Sequence, residues 1–557
     1  MRFDEFVTDE MIITLLCKEK CKRIRRAKIS GLQNIDEELK MLMPSRNEWL
    51  RVNKSKRFIH NYADNSKQQI PGSVLQLKSL LYTVRKHREI STDKPYVIKL
   101  NNYIARIKGI CNGSIDFSFS KPAIIPKLKE ETEKEMIYRP ISKYDSLDDK
   151  IMLNLTNQYL SLLFDPYFHE EILSYRIRRF YKGERKITNQ HDAIKTIKKY
   201  LVDNNEKDIY VAECDIRKFF DILNHRIIKR EFSELINNFT DIDTTQIARL
   251  FYSYVDSYSY ISDVANKNSD QDYWNMYRIN PRNSGKTRKF SWVSEDSFMQ
   301  NDIYTQEEWN NESLQIGTPQ GGAISLLISN IVLNSVDKVV VCDYDPLRLF
   351  VRYGDDILLM HTDKEKCEEL ISEYKKSLST HKLLFHPFKP VSEFKENEKI
   401  TKEYWNNKSK SVFKWGKGAG DAAQWIGFVG YEMSMEGEVR IRKSTLAGQF
   451  SRINRAYHYL KRLKAPERKS IMKFGELVAE KLDFFNYRFI KSKLFADSFR
   501  ELSANRYSLT QIKALDRYRN KKFWKLRKQV KQAGFDKGFF LGKPFSYYYH
   551  YIKNAPN

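Results

Sequence analysis

Nowhere in the 557 residues do about 18 apolar residues follow one another without a charge, so no transmembrane helix is expected. The opening segment, MRFDEFVTDEMIITLLCKEK, places acids where a secretory signal needs bases, and it holds no small-residue cleavage site. Cysteine is sparse and scattered: Cys17, Cys21, Cys111, Cys214, Cys342 and Cys367. Cys17 and Cys21 have no CxxC or His pair to complete a zinc site. Reduced thiols in a cytoplasmic protein are the reading. There is no internal repeat and no low-complexity segment, and Gly and Pro are few in residues 1–115, which read as mostly helical.

Apolar residues make up 41% and aromatics 13%, which permits sizeable cores and excludes wholesale disorder. Lys and Arg number 97 against 71 Asp and Glu, a net of +26. Such an excess favours a polyanion, nucleic acid or an acidic membrane surface. Residues 441–557 carry 28 Lys or Arg against 8 acids, a net of +20, so a fifth of the chain holds most of the excess. Helical periodicity runs through FSRINRAYHYLKRLK and SLTQIKALDRYRNKKFWKLRKQVKQAG, where bases alternate with aromatics. Such a helix can grip phosphates on one face and pack with the other.

Along the chain, SFSKPAIIPKLKE and EKEMIYRPIS read as two strands joined by a charged turn. Helices are expected from Ser146 to about Phe168 and over 190–202. VAECDIRKFFDIL begins as a strand and leaves it near Asp215. Residues 255–312, rich in Asn, Asp, Ser, Tyr and Trp, read as an insertion or long loop, and 400–420 as a loop. GTPQGGAISLLISNIVLNSVDKVV is a Gly-rich turn running into a helix. LRLFVRYGDDILLMHT is two apolar strands around an acidic turn. Asp215, Asp355 and Asp356 thus stand at the ends of buried strands. Carboxylates brought together there would raise one another's pKa unless a divalent metal bridged them. Two metal ions about 3.5–4 Å apart could hold a nucleoside triphosphate and a primer hydroxyl for in-line transfer.

The chain resembles a bacterial reverse transcriptase with a group-II-intron-like palm. Tyr353-Gly354-Asp355-Asp356 matches the Tyr-x-Asp-Asp box, and Asp215-Ile216-Arg217-Lys218-Phe219-Phe220-Asp221, with Leu223 and His225 after it, matches the first catalytic box. Gly317-Thr318-Pro319-Gln320-Gly321-Gly322, followed by Ser325, Leu326, Leu327 and Asn330, matches the Pro-Gln-Gly box. Arg139-Pro140, Tyr175-Arg176 and Lys389 resemble further blocks of the family, and the stretch Ile426–Tyr431 resembles its primer-grip hairpin. The resemblance implies an α/β (α+β) right-hand polymerase. Its parts would be a helical N-terminal region (1–115), fingers (116–210), a palm with an antiparallel sheet (211–443), a helical thumb (444–500) and a basic, Tyr-rich C-terminal extension (501–557).

It also implies roles. Asp215, Asp355 and Asp356, with the Ile216 carbonyl, would hold two Mg²⁺ ions, Mn²⁺ being a substitute. Arg139 would fork onto the triphosphate, and Lys389 would protonate the leaving pyrophosphate. The Phe220 ring would exclude a ribose 2′-hydroxyl, selecting dNTPs. Gln320 and Gly321 would support the templating pair, glycine letting a nucleotide approach the backbone. The template would be RNA, the product cDNA.

Ile324-Ser325-Leu326-Leu327 lacks the Pro usual in intron-encoded enzymes, and no Cys/His-rich endonuclease follows. The Val-Thr-Gly triplet and the Asn-Ala-x-x-His box of retron enzymes are missing too. By elimination the chain is placed with the defence-associated, "unknown-group" reverse transcriptases. That implies a structured non-coding RNA partner and action against bacteriophage, away from membranes, with room for an oligomer. In the tail FSYYYHYIK, Tyr547, Tyr548, Tyr549 and Tyr551 could prime synthesis through a hydroxyl, stack on RNA, or simply pack a strand. Two other readings stand beside this one: a template-independent or protein-primed polymerase on the same site, and an RNA-binding scaffold or splicing cofactor.

Overall fold

The computed structural model describes residues 1–30, 37–53, 57–61, 66–69, 72–179, 185–277, 286–291, 295–396, 400–461, 506–532 and 548. The N-terminal region is helical as expected, with α1 (Asp9–Ser30), α2 (Gly72–Ile90) and α3 (Pro95–Cys111). A short hairpin, Phe58–Asn61 with Ser66–Gln69, interrupts it. Leu16, Leu80 and Leu100 are fully buried and join one continuous core with the helices of the catalytic region.

The two expected strands form the hairpin β1 (Ala123–Glu131) and β2 (Glu135–Lys143). Helix α4 (Leu147–Phe164) follows, its first turn capped by the Ser146 hydroxyl accepting from the Asp149 N–H. Helix α5 (Gln190–Asp203) starts on the Asn189 cap. Strand β3 (Tyr210–Asp215) ends on the first aspartate.

Residues 255–312 differ from expectation. The described residues of this segment fold into short helices and a strand, β4 (Thr287–Phe290), which pairs parallel with β2. Tyr258, Tyr260, Tyr273, Trp274 and Phe290 are buried together against the hairpin. Polar residues of the segment are used for caps: Asp270 accepts from the Tyr273 N–H, and Thr305 forms a capping box with Glu308.

Helix α6 (Ala323–Val341) leaves the Pro-Gln-Gly turn. Its stretch Ile324–Val341 has the length and mean hydropathy of a membrane-crossing helix, but it carries Asp337 and Lys338. Most of that stretch is buried inside the protein, so it is a core helix here. Strands β5 (Arg348–Tyr353) and β6 (Asp356–His361) form the expected acidic hairpin. The segment 400–420 is a loop only in part. Residues Ile400–Asn406 are helical, and β7 (Ser409–Trp415) pairs antiparallel with β3. Two features hide this strand in the sequence. A bulge between Lys410 and Phe413 breaks the alternation, and Lys410 is a fully buried lysine paired with Glu213.

The palm sheet runs Phe388–Lys389, β7, β3, β6, β5, with Ala422–Ala423 also paired to β7. Alternation along β6 sends Ile357 and Leu359 into the core shared with the N-terminal helices. Leu358 and Met360 go to a second core under the opposite face. Each such side chain stabilises the sheet by about 1.5–3 kcal/mol on burial. A second sheet, β8 (Trp425–Phe428), β9 (Tyr431–Ser434) and β10 (Val439–Ile441), carries the expected grip hairpin. Helices α7 (Lys443–Lys461) and α8 (Arg506–Gln532) follow. Most of the expected thumb lies outside the described residues. The architecture is the α+β class of a right-hand polymerase.

Candidate active site

Three backbone features bring the acids together. Asp215, the last residue of β3, pairs in register with Asp356, the first of β6. Residues directly opposite in an antiparallel pair have Cα atoms about 4.5–5.5 Å apart. Asp355 lies in the two-residue loop joining β5 to β6, since Tyr353 pairs with Asp356. Gly354 takes φ +73° there, the left-handed value that the first position of a tight hairpin turn requires. The Ile216 N–H donates to the Asp355 carbonyl at 3.4 Å, fastening the loop to the end of β3. The Asp215 N–H in turn donates to the Ser409 hydroxyl at 3.1 Å.

The carboxylates are electrostatically uncomfortable. Burial raises the Asp215 carboxyl, against the pull of Lys408. Burial and Asp215 raise Asp355. Burial, Asp355 and Asp215 push Asp356 up to about 7. Asp215 Oδ2 accepts from Lys408 Nζ at 2.5 Å, while Oδ1 is buried and finds no hydrogen-bond partner among the described residues. No three acidic, His or Cys side chains among the described residues already converge as a ligand set. The orphaned oxygen and three mutually repelling carboxylates are nonetheless the donor chemistry that a hard divalent cation fits.

Around them the expected residues take up definite places. Arg139 is exposed on β2, close enough to Asp355 to oppose the rise of its carboxyl. Gln320 donates through Nε2 to the buried Asp221, and its carbonyl accepts from the Ser142 N–H of β2 at 3.0 Å. Burial pushes Asp221 up to about 6, opposed by Lys218 and the Gln320 bond. Gly321 is exposed beside Gln320. The loop is braced by His225 Nε2 donating to the Gly317 carbonyl at 2.8 Å. Phe220 is half-buried, its ring edge-on to Phe219 at 5.2 Å.

Lys389 stands apart from this group. It lies on the edge strand and pairs with Glu393. Lys408 bonds Asp215 directly, and sequence reasoning missed it because it sits just before the hidden strand β7. Arg352 and Asp337 were missed as well. Their side chains are both fully buried and bonded at 2.7 Å. Arg352 Nη1 also donates to the Asn330 side-chain oxygen at 3.2 Å and to the Gly354 carbonyl at 3.3 Å. The Ser174 hydroxyl accepts from the Gly354 N–H at 2.8 Å. The acidic turn is therefore clamped through its backbone. Of the four tail tyrosines, Tyr547, Tyr549 and Tyr551 lie outside the described residues. The Tyr548 N–H donates to Asp516 at 2.9 Å, and Lys513 Nζ stands 4.6 Å from its ring centre.

Residues 278–412 match the sequence profile of the family described as reverse transcriptase (RNA-dependent DNA polymerase). The chain carries a reverse transcriptase domain. This domain is that of a nucleotidyltransferase, an RNA-directed DNA polymerase. The matched stretch contains Gln320, Asp355, Asp356 and Lys408, and β3 brings Asp215 to it. No curated protein matches the chain in sequence. Among solved structures, apo telomerase from Candida tropicalis is similar at 13% identity and a TM-score of 0.34, over 82% of this chain and 74% of that one. Telomerase from Candida albicans in complex with a TWJ fragment of telomeric RNA gives 13% and 0.31, over 76% and 63%. Both are distant likenesses.

Proposed function

We propose that the reverse transcriptase domain copies a structured non-coding RNA into cDNA, with Asp215, Asp355 and Asp356 as its catalytic carboxylates, and that this synthesis serves defence against bacteriophage. The observation that carries the polymerase site is the pairing of Asp215 with Asp356 on adjacent strands, with one Asp215 oxygen left buried and unbonded. The RNA partner and the defence role are supported by the family resemblance and by the missing intron and retron boxes.

Mg²⁺ held by the three aspartates and the Ile216 carbonyl would supply Lewis-acid activation of a primer 3′-hydroxyl and neutralise phosphate charge. The remaining work falls to side chains of this chain. Arg139 presents a bidentate fork to triphosphate oxygens. Phe220 walls off the sugar 2′ position. Gln320, fixed by Asp221 and by β2, braces the templating pair. Lys408, an ammonium already at Asp215, is placed to hold a proton at Nζ for the leaving pyrophosphate, the role the sequence suggests for Lys389.

The test has two arms. Nucleic acid co-purifying with the wild-type protein is sequenced, and Asp355→Asn is compared in RNA-templated dNTP incorporation and in phage plaque counts. A discrete RNA with complementary DNA, both activities being lost in the variant, is expected. Protection that persists in Asp355→Asn would make the protein an RNA-binding scaffold. Incorporation without RNA would make it a terminal transferase.

A further inference from the structure

Tyr175 is an aromatic residue on a backbone whose sterics do not favour one. Its φ is +58°, a left-handed conformation that L side chains rarely adopt, and it keeps 40% of its surface exposed. The backbone on both sides is pinned. Before it, the Leu173 N–H donates to the Arg352 carbonyl at 3.0 Å, and the Ser174 carbonyl and hydroxyl accept from Asn330 (3.0 Å) and from the Gly354 N–H (2.8 Å). After it, the buried Arg176 guanidinium donates to Asp165 Oδ1 at 2.7 Å and to the His169 carbonyl at 2.6 Å. These anchors over-determine the conformation between them, the condition under which backbone strain persists.

The ring is directed at the catalytic turn. A Cβ placed on Gly354 would lie 3.9 Å from the Tyr175 hydroxyl. The Tyr175 and Tyr353 ring centres are 6.5 Å apart, inclined at 42°. The pair is connected to the grip hairpin through α5. Asp192 of α5 is near enough to act on the Tyr353 phenol, and its neighbour His191 bonds the Tyr431 hydroxyl of the grip hairpin at 3.1 Å.

We infer that Tyr175 is a nucleic-acid contact, one wall of a two-tyrosine cradle, with Tyr353, that receives the terminal nucleotide of the growing strand beside Asp355 and Asp356. The inference rests on the polymerase reading above and deepens it. The ring is only partly packed and leaves two-fifths of the residue's surface open in a strained backbone, and a base or sugar stacking on that open face would give the strain a return. Base–aromatic stacking is sequence-tolerant and worth enough to change affinity by about tenfold per ring.

Strain and function separate in the test. Tyr175→Gly and Tyr175→Asn remove the ring and suit the left-handed backbone, whereas Tyr175→Phe keeps the ring. Full-length proteins are melted and titrated with a 3′-recessed RNA–DNA heteroduplex carrying 2-aminopurine at the primer terminus. For Gly and Asn, the Tm is expected to hold or rise by about 2 °C. Duplex affinity should fall about tenfold with loss of the terminal fluorescence change, and the KM for dNTP should hold. Phe should behave as wild type. A Tm that falls in both Gly and Asn variants would make Tyr175 a packing residue and overturn the inference, as would unchanged duplex affinity. If the wild-type protein neither binds nor extends the duplex, the polymerase reading itself fails.

Discussion

Arg352→Met is the most informative single perturbation the structure offers. Arg352 and Asp337 are both fully buried, with Nε donating to Oδ2 at 2.7 Å. Removing the guanidinium leaves Asp337 with the Tyr374 hydroxyl at 3.1 Å as its hydrogen bond in the core. Breaking a buried ion pair on one side costs about 3–5 kcal/mol, because the surviving charge stays desolvated. For a protein of this size that corresponds to a fall in Tm of roughly 3–4 °C. Asp337→Leu added to Arg352→Met removes the stranded charge, and it should recover most of the loss. Activity should not recover with stability. Arg352 Nη1 also donates to the Asn330 side chain and the Gly354 carbonyl, and neither variant replaces that donor. Thermal melts and RNA-templated dNTP incorporation on all four corners of the cycle check both statements. Additive losses with no coupling would refute the stability argument. Wild-type incorporation by the double variant would refute the clamp on the acidic turn.

Without divalent cation, the raised Asp356 carboxyl contributes stability through its protonated form, fully present below the ordinary carboxylate range and lost as pH rises through about 7. The Tm in EDTA should therefore fall between pH 5 and pH 8; Mg²⁺ should restore it at pH 8, and Asp356→Asn should flatten the EDTA profile. A flat profile in the wild type would contradict the crowding of charge at this turn. Phe220→Ala should raise ribonucleotide incorporation relative to dNTP by one to two orders of magnitude, read as a ratio of kcat/KM values, from lost steric exclusion. Lys408→Met should lower kcat by roughly a hundredfold, in the range of lost general-acid catalysis, while Lys389→Met stays near wild type in the same assay.

Much of this site is legible in the sequence because its chemistry is local. The two strands of LRLFVRYGDDILLM and the strand VAECD show apolar runs ending in bare carboxylates, and the pairing of Asp215 with Asp356 is the simplest way to close them. The Pro-Gln-Gly turn announces its helix through a Gly-rich stretch before an apolar one. What is not legible depends on partners distant in the chain. Lys410 reads as polar, and only Glu213, 197 residues away, makes it a strand interior. Tyr258, Tyr260 and Trp274 read as aromatics scattered in a polar insertion until β2 supplies the surface they cover. Lys389 and Lys408 are 19 positions apart in a stretch of mixed charge, and which of them meets Asp215 is decided by the position of β7.

The polar groups buried around the site bear on its backbone more than on its reacting side chains. Asn330 and Ser174 hold the approach to the acidic turn, and Arg352 and Ser174 hold the turn itself. His225 holds Gly317, and Ser409 holds the amide of Asp215. The aspartate carboxylates receive little of this help, and one Asp215 oxygen receives none among the described residues. Such a division follows from the chemistry. A side chain satisfied by protein donors has no lone pair left for a cation or substrate, whereas a mobile backbone cannot keep three charges together against their repulsion. Rigid turns bearing unsatisfied carboxylates meet both requirements, and they store unfavourable free energy that an added cation or nucleotide relieves.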